Sequence, residues 1–363
     1  MNSNQNIGSK RFIVLGFILL LIIPNVLMLT DLEDQSEFSM LTKYPEIDIE
    51  NPRGNVTKLK KYYLTHFGLK PTLVNTYLDF KTNTLNENPI QNRVVKGIDD
   101  WYFLGNEHNR VLDNTFGIHK YSDIDLFVMK QNLLEFNDYI KSLNIELYFV
   151  IVPNKNTVYQ EKLPYKVNQR DTPITQFLST IDDSDDLNIL DLRPVLLNSK
   201  NESTLLYHKT DTHWNDIGAH LGYEYVITSI SKNINNLNVV PLSEFKSIDT
   251  VRQGDITRMI NIYDKESITS YTKPNNSVVI NEKNTYQYKK FKNSNKNSKL
   301  LMFRDSFAIN WFDYFNESFG ETLYLRYTNI SKSQITEEQP DIVILEVAER
   351  NFDILLKEMK LSQ

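Results

Sequence analysis

Two short stretches of this 363-residue chain carry residue types that suit acyl transfer, residues 207–218 (YHKTDTHWNDIG) and 300–309 (LLMFRDSFAI). A serine hydroxyl is a poor nucleophile until a base takes its proton. A histidine serves as that base when a carboxylate fixes its tautomer and steadies the imidazolium. Asp211-Thr212-His213 offers the base and the carboxylate, and Ser306 offers the hydroxyl. Each piece alone has a plainer explanation. Asp and Ser are the preferred helix-capping residues, so Asp305-Ser306 by itself reads as structure. A D-x-H triplet occurs by chance, and a histidine beside Trp214 is often simply packed. Only the combination of types points to catalysis.

A metal site competes for the same residues, because His208, Asp211 and His213 are types that zinc accepts. Their spacing matches neither HExxH nor an EF-hand loop, and a metal would leave Ser306 without a part. No metal and no cofactor are expected. His66, His108 and His119 have no such company, and His220 falls on a helical stretch as a packed or exposed residue.

These residues need a scaffold, and the hydrophobic pattern supplies one. Residues 147–152 (LYFVIV) read as a buried strand stopped by Pro153, and similar runs recur at 189–192, 300–303, 323–327 and 342–347. Helical patterns fall at 124–143, 217–230, 307–315 and 348–359. Strand followed by helix, repeated, implies an α/β fold with three layers and a mostly parallel sheet. Ser306 then sits at the carboxyl edge of that sheet, where open α/β sheets bind ligands. The helix start behind it would offer free N–H groups to an oxyanion. Residues 233–299 are rich in Asn, Ser and Lys, with strand-like VVIN and YQYKKF pieces, and read as an insertion.

The chain start sets the compartment. After Lys10 and Arg11 come eighteen residues without a charge, 12–29 (FIVLGFILLLIIPNVLML). At ~1.5 Å per residue this run nearly spans a ~30 Å hydrocarbon core. A cleaved signal would have a shorter apolar region and small residues after it, whereas Thr30, Asp31 and Leu32 follow here. The pattern favours an uncleaved single-pass anchor in the cell membrane, with the cationic tip cytoplasmic and the remainder outside. Residues 1–30 are thus tip and anchor, 31–95 a polar stalk with a helix near 58–66, and 96–363 the catalytic domain. There are no cysteines, which excludes disulfides and thiolate chemistry. A formal charge of −6, from 40 Lys and Arg against 46 Asp and Glu, argues against nucleic acid as a partner.

Several further blocks complete a recognisable set: Gly97-Ile98-Asp99-Asp100-Trp101-Tyr102-Phe103, Val152-Pro153-Asn154-Lys155, Tyr207 with Asp211-Thr212-His213-Trp214, Gly254-Asp255, Asp305-Ser306-Phe307 and Val347-Ala348-Glu349-Arg350. Together, over residues 95–352, the chain resembles the alginate O-acetyltransferase family of SGNH-hydrolase-like proteins. In that family the Asp-x-His precedes the serine, the reverse of ordinary SGNH hydrolases. The resemblance implies Ser306 as the acyl-accepting nucleophile, His213 as base and Asp211 as its orienting carboxylate. It also implies a membrane-bound O-acyltransferase as acetyl donor and a sugar hydroxyl of an envelope or secreted polysaccharide as acceptor.

Arg304 departs from the family, which usually has glycine there; it either points into the site as a positive charge or is a solvated turn residue. Tyr207, Trp214, Asn154, Lys155 and Arg350 are the remaining candidates for lining the site. Two rivals share the sequence. One is an esterase using the same three residues, with water as acceptor. The other is a noncatalytic scaffold that grips polysaccharide through exposed Trp101 and Trp214. Lys289, Lys290, Lys292, Lys296 and Lys299 form either a patch for an anionic polymer or a solvated flexible loop.

Overall fold

A computed structural model describes residues 3–30, 44–47, 52–166, 170–201, 203–234, 237–262, 265–272, 278–280 and 285–357. The chain divides into two compact units, Met1–Pro89 and Ile90–Gln363. In the first, a helix over Ser3–Thr30 contains the apolar run, and its part Lys10–Met28 is long and apolar enough to cross a membrane. A second helix, Pro52–His66, covers the expected one and extends it toward the N-terminus. A third, Lys70–Asp79, was not expected; its Leu73, Val74 and Tyr77 are exposed and Leu78 is buried.

The second unit is built on a seven-stranded sheet. Its strands are β1 Glu146–Val152, β2 Asn188–Asp191, β3 Val278–Ile280, β4 Tyr288–Asn293, β5 Lys299–Arg304, β6 Glu321–Arg326 and β7 Ile342–Ala348. Their order is β2-β1-β7-β5-β6-β4-β3. The first five run parallel, while β4 is antiparallel to β6 and β3 to β4. The sheet is therefore mostly parallel, with an antiparallel edge.

Alternation along the strands divides the interior into two cores, as a period of two requires. Tyr148, Val150, Leu300, Met302, Ile342 and Ile344 face a helix α2, Asp216–Ile230, through its Ala219, Tyr223 and Val226. Leu147, Phe149, Leu301, Phe303, Val343 and Leu345 face a helix α1, Asp123–Ser142, through Met129, Leu133, Phe136 and Ile140. This gives three layers. A capping box starts α1: Ser122 Oγ accepts the Asp125 N–H, and the Asp125 carboxylate accepts the Ser122 N–H.

Three segments differ from expectation. Residues 348–359 do not form one helix. Ala348 ends β7, a 3-10 turn covers Glu349–Asn351, and among the described residues the α-helix is Ile354–Lys357, Glu358 and Met359 lying outside them. Within that turn the buried Glu349 carboxylate points inward and accepts the Asn154 N–H and the Thr157 hydroxyl. The helix at 307–315 opens as a 3-10 turn, Phe307–Trp311, before the α-helix Phe312–Ser318. Residues 233–299 hold the expected strands, β3 within VVIN and β4 starting within YQYKKF at Tyr288, which form the antiparallel edge, and the unexpected element is a separate hairpin of Lys246–Arg252 with Glu266–Thr272. Lys289, Lys290 and Lys292 lie on β4 rather than in a flexible loop, and Lys290 pairs with Glu321 and Glu338 at 2.7 Å each.

Candidate active site

Parallel strands deliver their carboxyl ends to one edge. There β5 leads into Asp305-Ser306, β1 into Pro153-Asn154 and β7 into Glu349-Arg350. Ser306 is fixed through its neighbour. The fully buried Asp305 carboxylate accepts N–H bonds from Phe307 (2.8 Å) and Ala348 (2.9 Å) and the Asn351 side-chain amide (2.8 Å). Burial pushes the Asp305 carboxyl up, but the Arg350 charge and these hydrogen bonds win and hold it below the usual range. Beneath it, Glu346 Oε2 accepts the Asp305 N–H at 2.8 Å. Burial and the Asp305 charge push the Glu346 carboxyl well above its ordinary value.

The loop bearing Asp211 and His213 is closed on itself before α2 begins. Tyr207 and Trp214 form an antiparallel bridge, Asn215 N–H reaches Leu206 O at 2.9 Å, and Asn215 Oδ1 caps α2 at Gly218. Gly218 is required there, since a Cβ would meet Leu206 O at 2.2 Å. The result is a hydrogen-bonded line: Asp211 Oδ1 to His213 Nδ1 at 2.7 Å, and His213 Nε2 to Ser306 Oγ at 2.9 Å. The Asp211 end is buried and the imidazole about a fifth exposed (1% and 22%), so a solute can reach the serine end. These distances suit proton transfer from a hydroxyl to an imidazole. Burial pushes the Asp211 carboxyl up, yet the hydrogen bond and charge of His213 and the charge of Arg252 hold it well below the usual range.

The hairpin of residues 246–272 closes over this loop. Arg252 Nη2 donates to Asp211 Oδ2 at 2.7 Å, and the Asp255 N–H reaches the same oxygen at 3.2 Å. Asp255 accepts both the N–H and the hydroxyl of Thr212, at 2.7 and 2.8 Å. Glu266 accepts the Lys209 N–H at 2.8 Å and the Thr210 hydroxyl at 3.0 Å. Gly254 permits the approach, because a Cβ there would lie 2.0 Å from Thr210 O. Sequence reasoning assigned Arg252 and Glu266 no part and gave Gly254-Asp255 none beyond a family match. The strand Lys246–Arg252 that ends in Arg252 is exposed throughout, so no hydrophobic pattern marks it.

Asp211, His213 and Asp255 each bring one atom within 4.8 Å of the others, the spacing of a metal group. Their facing atoms already bond to one another, to Thr212 and to Arg252, so the cluster reads as a hydrogen-bond network. His208 is elsewhere, 3.4 Å from Glu266, with burial pulling it down to about 4.

The six candidates for lining the site separate into two groups. Asn154 and Arg350 are at the sheet edge: Arg350 Nη1 donates to Asn154 Oδ1 at 3.3 Å and its guanidinium lies 5.0 Å over the Phe307 ring. The His213 ring is also 5.0 Å from Phe307. The other four are interior supports. Tyr207 is buried with its hydroxyl on Pro153 O, and Trp214 is buried with its indole N–H on Phe307 O. Lys155 is buried and donates to the carbonyls of His208, Lys209 and Asp211 at 3.0, 3.0 and 2.6 Å. Arg304 fits neither expectation. It is fully buried between Tyr286 and Phe312, and donates to the carbonyls of Asp305 and Tyr286.

Two more expectations change. The Phe307 N–H, a helix-start donor expected to be free for an oxyanion, is held by Asp305. Trp101 and Trp214, which a polysaccharide-gripping scaffold would expose, are both buried. A cleft of about 630 Å³ borders Trp101, Tyr159, Lys162, Lys200 and Lys209, and none of Asp211, His213 or Ser306 lines it.

Residues 94–302 match the family described as SGNH hydrolase-like domain, acetyltransferase AlgX, a match that ends just before Ser306. No curated protein matches the chain. Among solved structures, Bacillus cereus PatB1 is similar at 17% identity and TM-score 0.56, over 73% of this chain and 98% of that one. Its form with a sulfonyl adduct gives 16% identity and 0.57, over 74% and 100%. The O-acetyltransferase domain of Pseudomonas putida AlgJ gives 18% and 0.49, over 74% and 93%. The PatB1 likeness is one of fold alone, and the SGNH hydrolase-like description comes from the family match.

Proposed function

Because the chain belongs to the SGNH hydrolase-like family of AlgX-type acetyltransferases, we propose that it is an O-acetyltransferase whose acyl carrier is Ser306. The observation that supports this most directly is the hydrogen-bonded line Asp211–His213–Ser306. In the first half-reaction His213 Nε2 takes the Ser306 proton as Oγ bonds to the acetyl carbonyl carbon. The bond from that carbon to the donor oxygen then breaks, and the imidazolium returns the proton to the leaving group. In the second, an acceptor hydroxyl gives its proton to His213 and bonds to the acyl carbon, the Ser306 ester bond breaks, and Oγ regains a proton. The Ser306 N–H, the Asn154 amide and Arg350 are the groups assigned to the oxyanion of each tetrahedral intermediate.

The acceptor in this reading is a hydroxyl of an envelope or secreted polysaccharide. The helix containing Lys10–Met28 anchors the enzyme on the outer side of the cell membrane. Acetyl groups arrive there from a membrane-bound O-acyltransferase, since acetyl-CoA is confined to the cytoplasm. The test is intact-mass measurement of the full chain after exposure to a reactive acetyl ester, with and without oligosaccharide. One acetyl mass, absent in Ser306→Ala and passed to the sugar, is the expected result. Loss of the acetyl to water alone would make the protein an esterase. No adduct on a folded chain, from the ester or from a sulfonyl fluoride, would overturn the assignment of Ser306.

A further inference from the structure

Asp211 has two oxygens, and only one faces the imidazole. Oδ1 takes the His213 ring at 2.7 Å, while Oδ2 takes Arg252 at 2.7 Å and the Asp255 N–H at 3.2 Å. Arg252 comes from the end of a strand some forty residues further on, and its side chain is 42% exposed against 1% for Asp211. A solvent-facing cation is thus bonded to the buried carboxylate that orients the base. Building on the proposed Ser306 chemistry, we infer that Arg252 is a positioning residue that sets the pH range in which His213 acts as a base.

The argument is electrostatic and geometric. An ionised Asp211 alone would bind the imidazolium strongly and keep His213 protonated, hence useless as a base, into higher pH. The guanidinium on Oδ2 offsets part of that charge and also prevents the carboxylate from rotating away from Nδ1. The other charged neighbours are placed less directly. Asp255 Oδ2 is 4.0 Å from Nδ1 but is taken by Thr212. Lys155 reaches only the Asp211 backbone carbonyl, and Glu266 faces His208 and Thr210. Arg350 lies against Phe307, a ring that also adjoins His213.

The experiment is a pH profile of Ser306-dependent turnover of 4-nitrophenyl acetate by the full chain, comparing the parent with Arg252→Gln and Arg252→Lys. In Arg252→Gln the acid limb of kcat/KM is expected to move up by about 0.5–1 pH unit, a loss of about three- to tenfold on that limb. Arg252→Lys, which keeps the charge, should restore most of it. An unmoved limb in Arg252→Gln, whether with unchanged activity or with a raised KM alone, would overturn the inference while leaving the Ser306 reading intact. A parent without Ser306-dependent turnover would overturn both, and Ser306→Ala separates that case from the other.

Discussion

The turn that carries Ser306 and the loop that carries His213 meet at one hydrogen bond, and they are held by different means. The turn is fixed from beneath, by two fully buried carboxyl groups, Asp305 just after β5 and Glu346 within β7, which burial and their neighbours push in opposite directions. The loop is fixed from its sides, by Lys155 within the core and by Arg252, Asp255 and Glu266 of an exposed hairpin. Placement of Ser306 therefore belongs to the fold, and placement of His213 to an excursion laid over it. Damage to the first should appear as lost stability, and damage to the second as lost chemistry.

The comparison can be broken most decisively at Asp211. Asp211→Asn keeps the shape but removes the charge, and kcat for Ser306-dependent ester turnover should fall by about 10³–10⁴ in a chain that still folds, with some stability lost because the pair with Arg252 is broken. A large loss of stability instead would make the loop part of the core. Next in size is Asp305→Ala, which leaves the buried N–H groups of Phe307 and Ala348 without an acceptor. Urea unfolding followed by tryptophan fluorescence should report a loss of about 3–5 kcal/mol.

Lys155 sharpens the boundary, because it serves the loop from within the core. Burial, opposed first by Asp211, pulls its ammonium from 10.5 down to about 7. Between those values the unfolded chain binds more protons than the folded one, so this group makes stability rise with pH across that window and weighs against folding below it. The parent should thus gain stability relative to Lys155→Met as pH rises from 7 toward 10, and a gap independent of pH would refute this. The smallest effect is expected far from both regions. Lys290→Ala on β4 removes the pairs with Glu321 and Glu338, and denaturant unfolding should change by about 1 kcal/mol or less, with turnover unaffected.

What could be read from the sequence follows the same division. The strands of the parallel sheet, both long helices and the complementary Asp211, His213 and Ser306 were legible because buried apolar alternation and residue chemistry are local signals. Lys155 and Arg304 were misread as site or surface groups. A charged side chain normally faces water, and nothing local shows that three carbonyls await the first or two aromatic rings flank the second. Arg252 was invisible for another reason. Its strand has no buried face, and its partner lies 41 residues earlier in the chain.

The hairpin also has a consequence for how such an enzyme can diverge. Its attachment to the loop rests on Arg252, Gly254, Asp255 and Glu266 at its base, while every residue of the strand Lys246–Arg252 is exposed. Mutations along the outward positions 246–251 meet little resistance from packing, whereas the anchoring positions do not share that freedom. Positions 246–251 are therefore free to change independently of the sheet, while the residues that tie the hairpin to the Asp211 loop stay fixed.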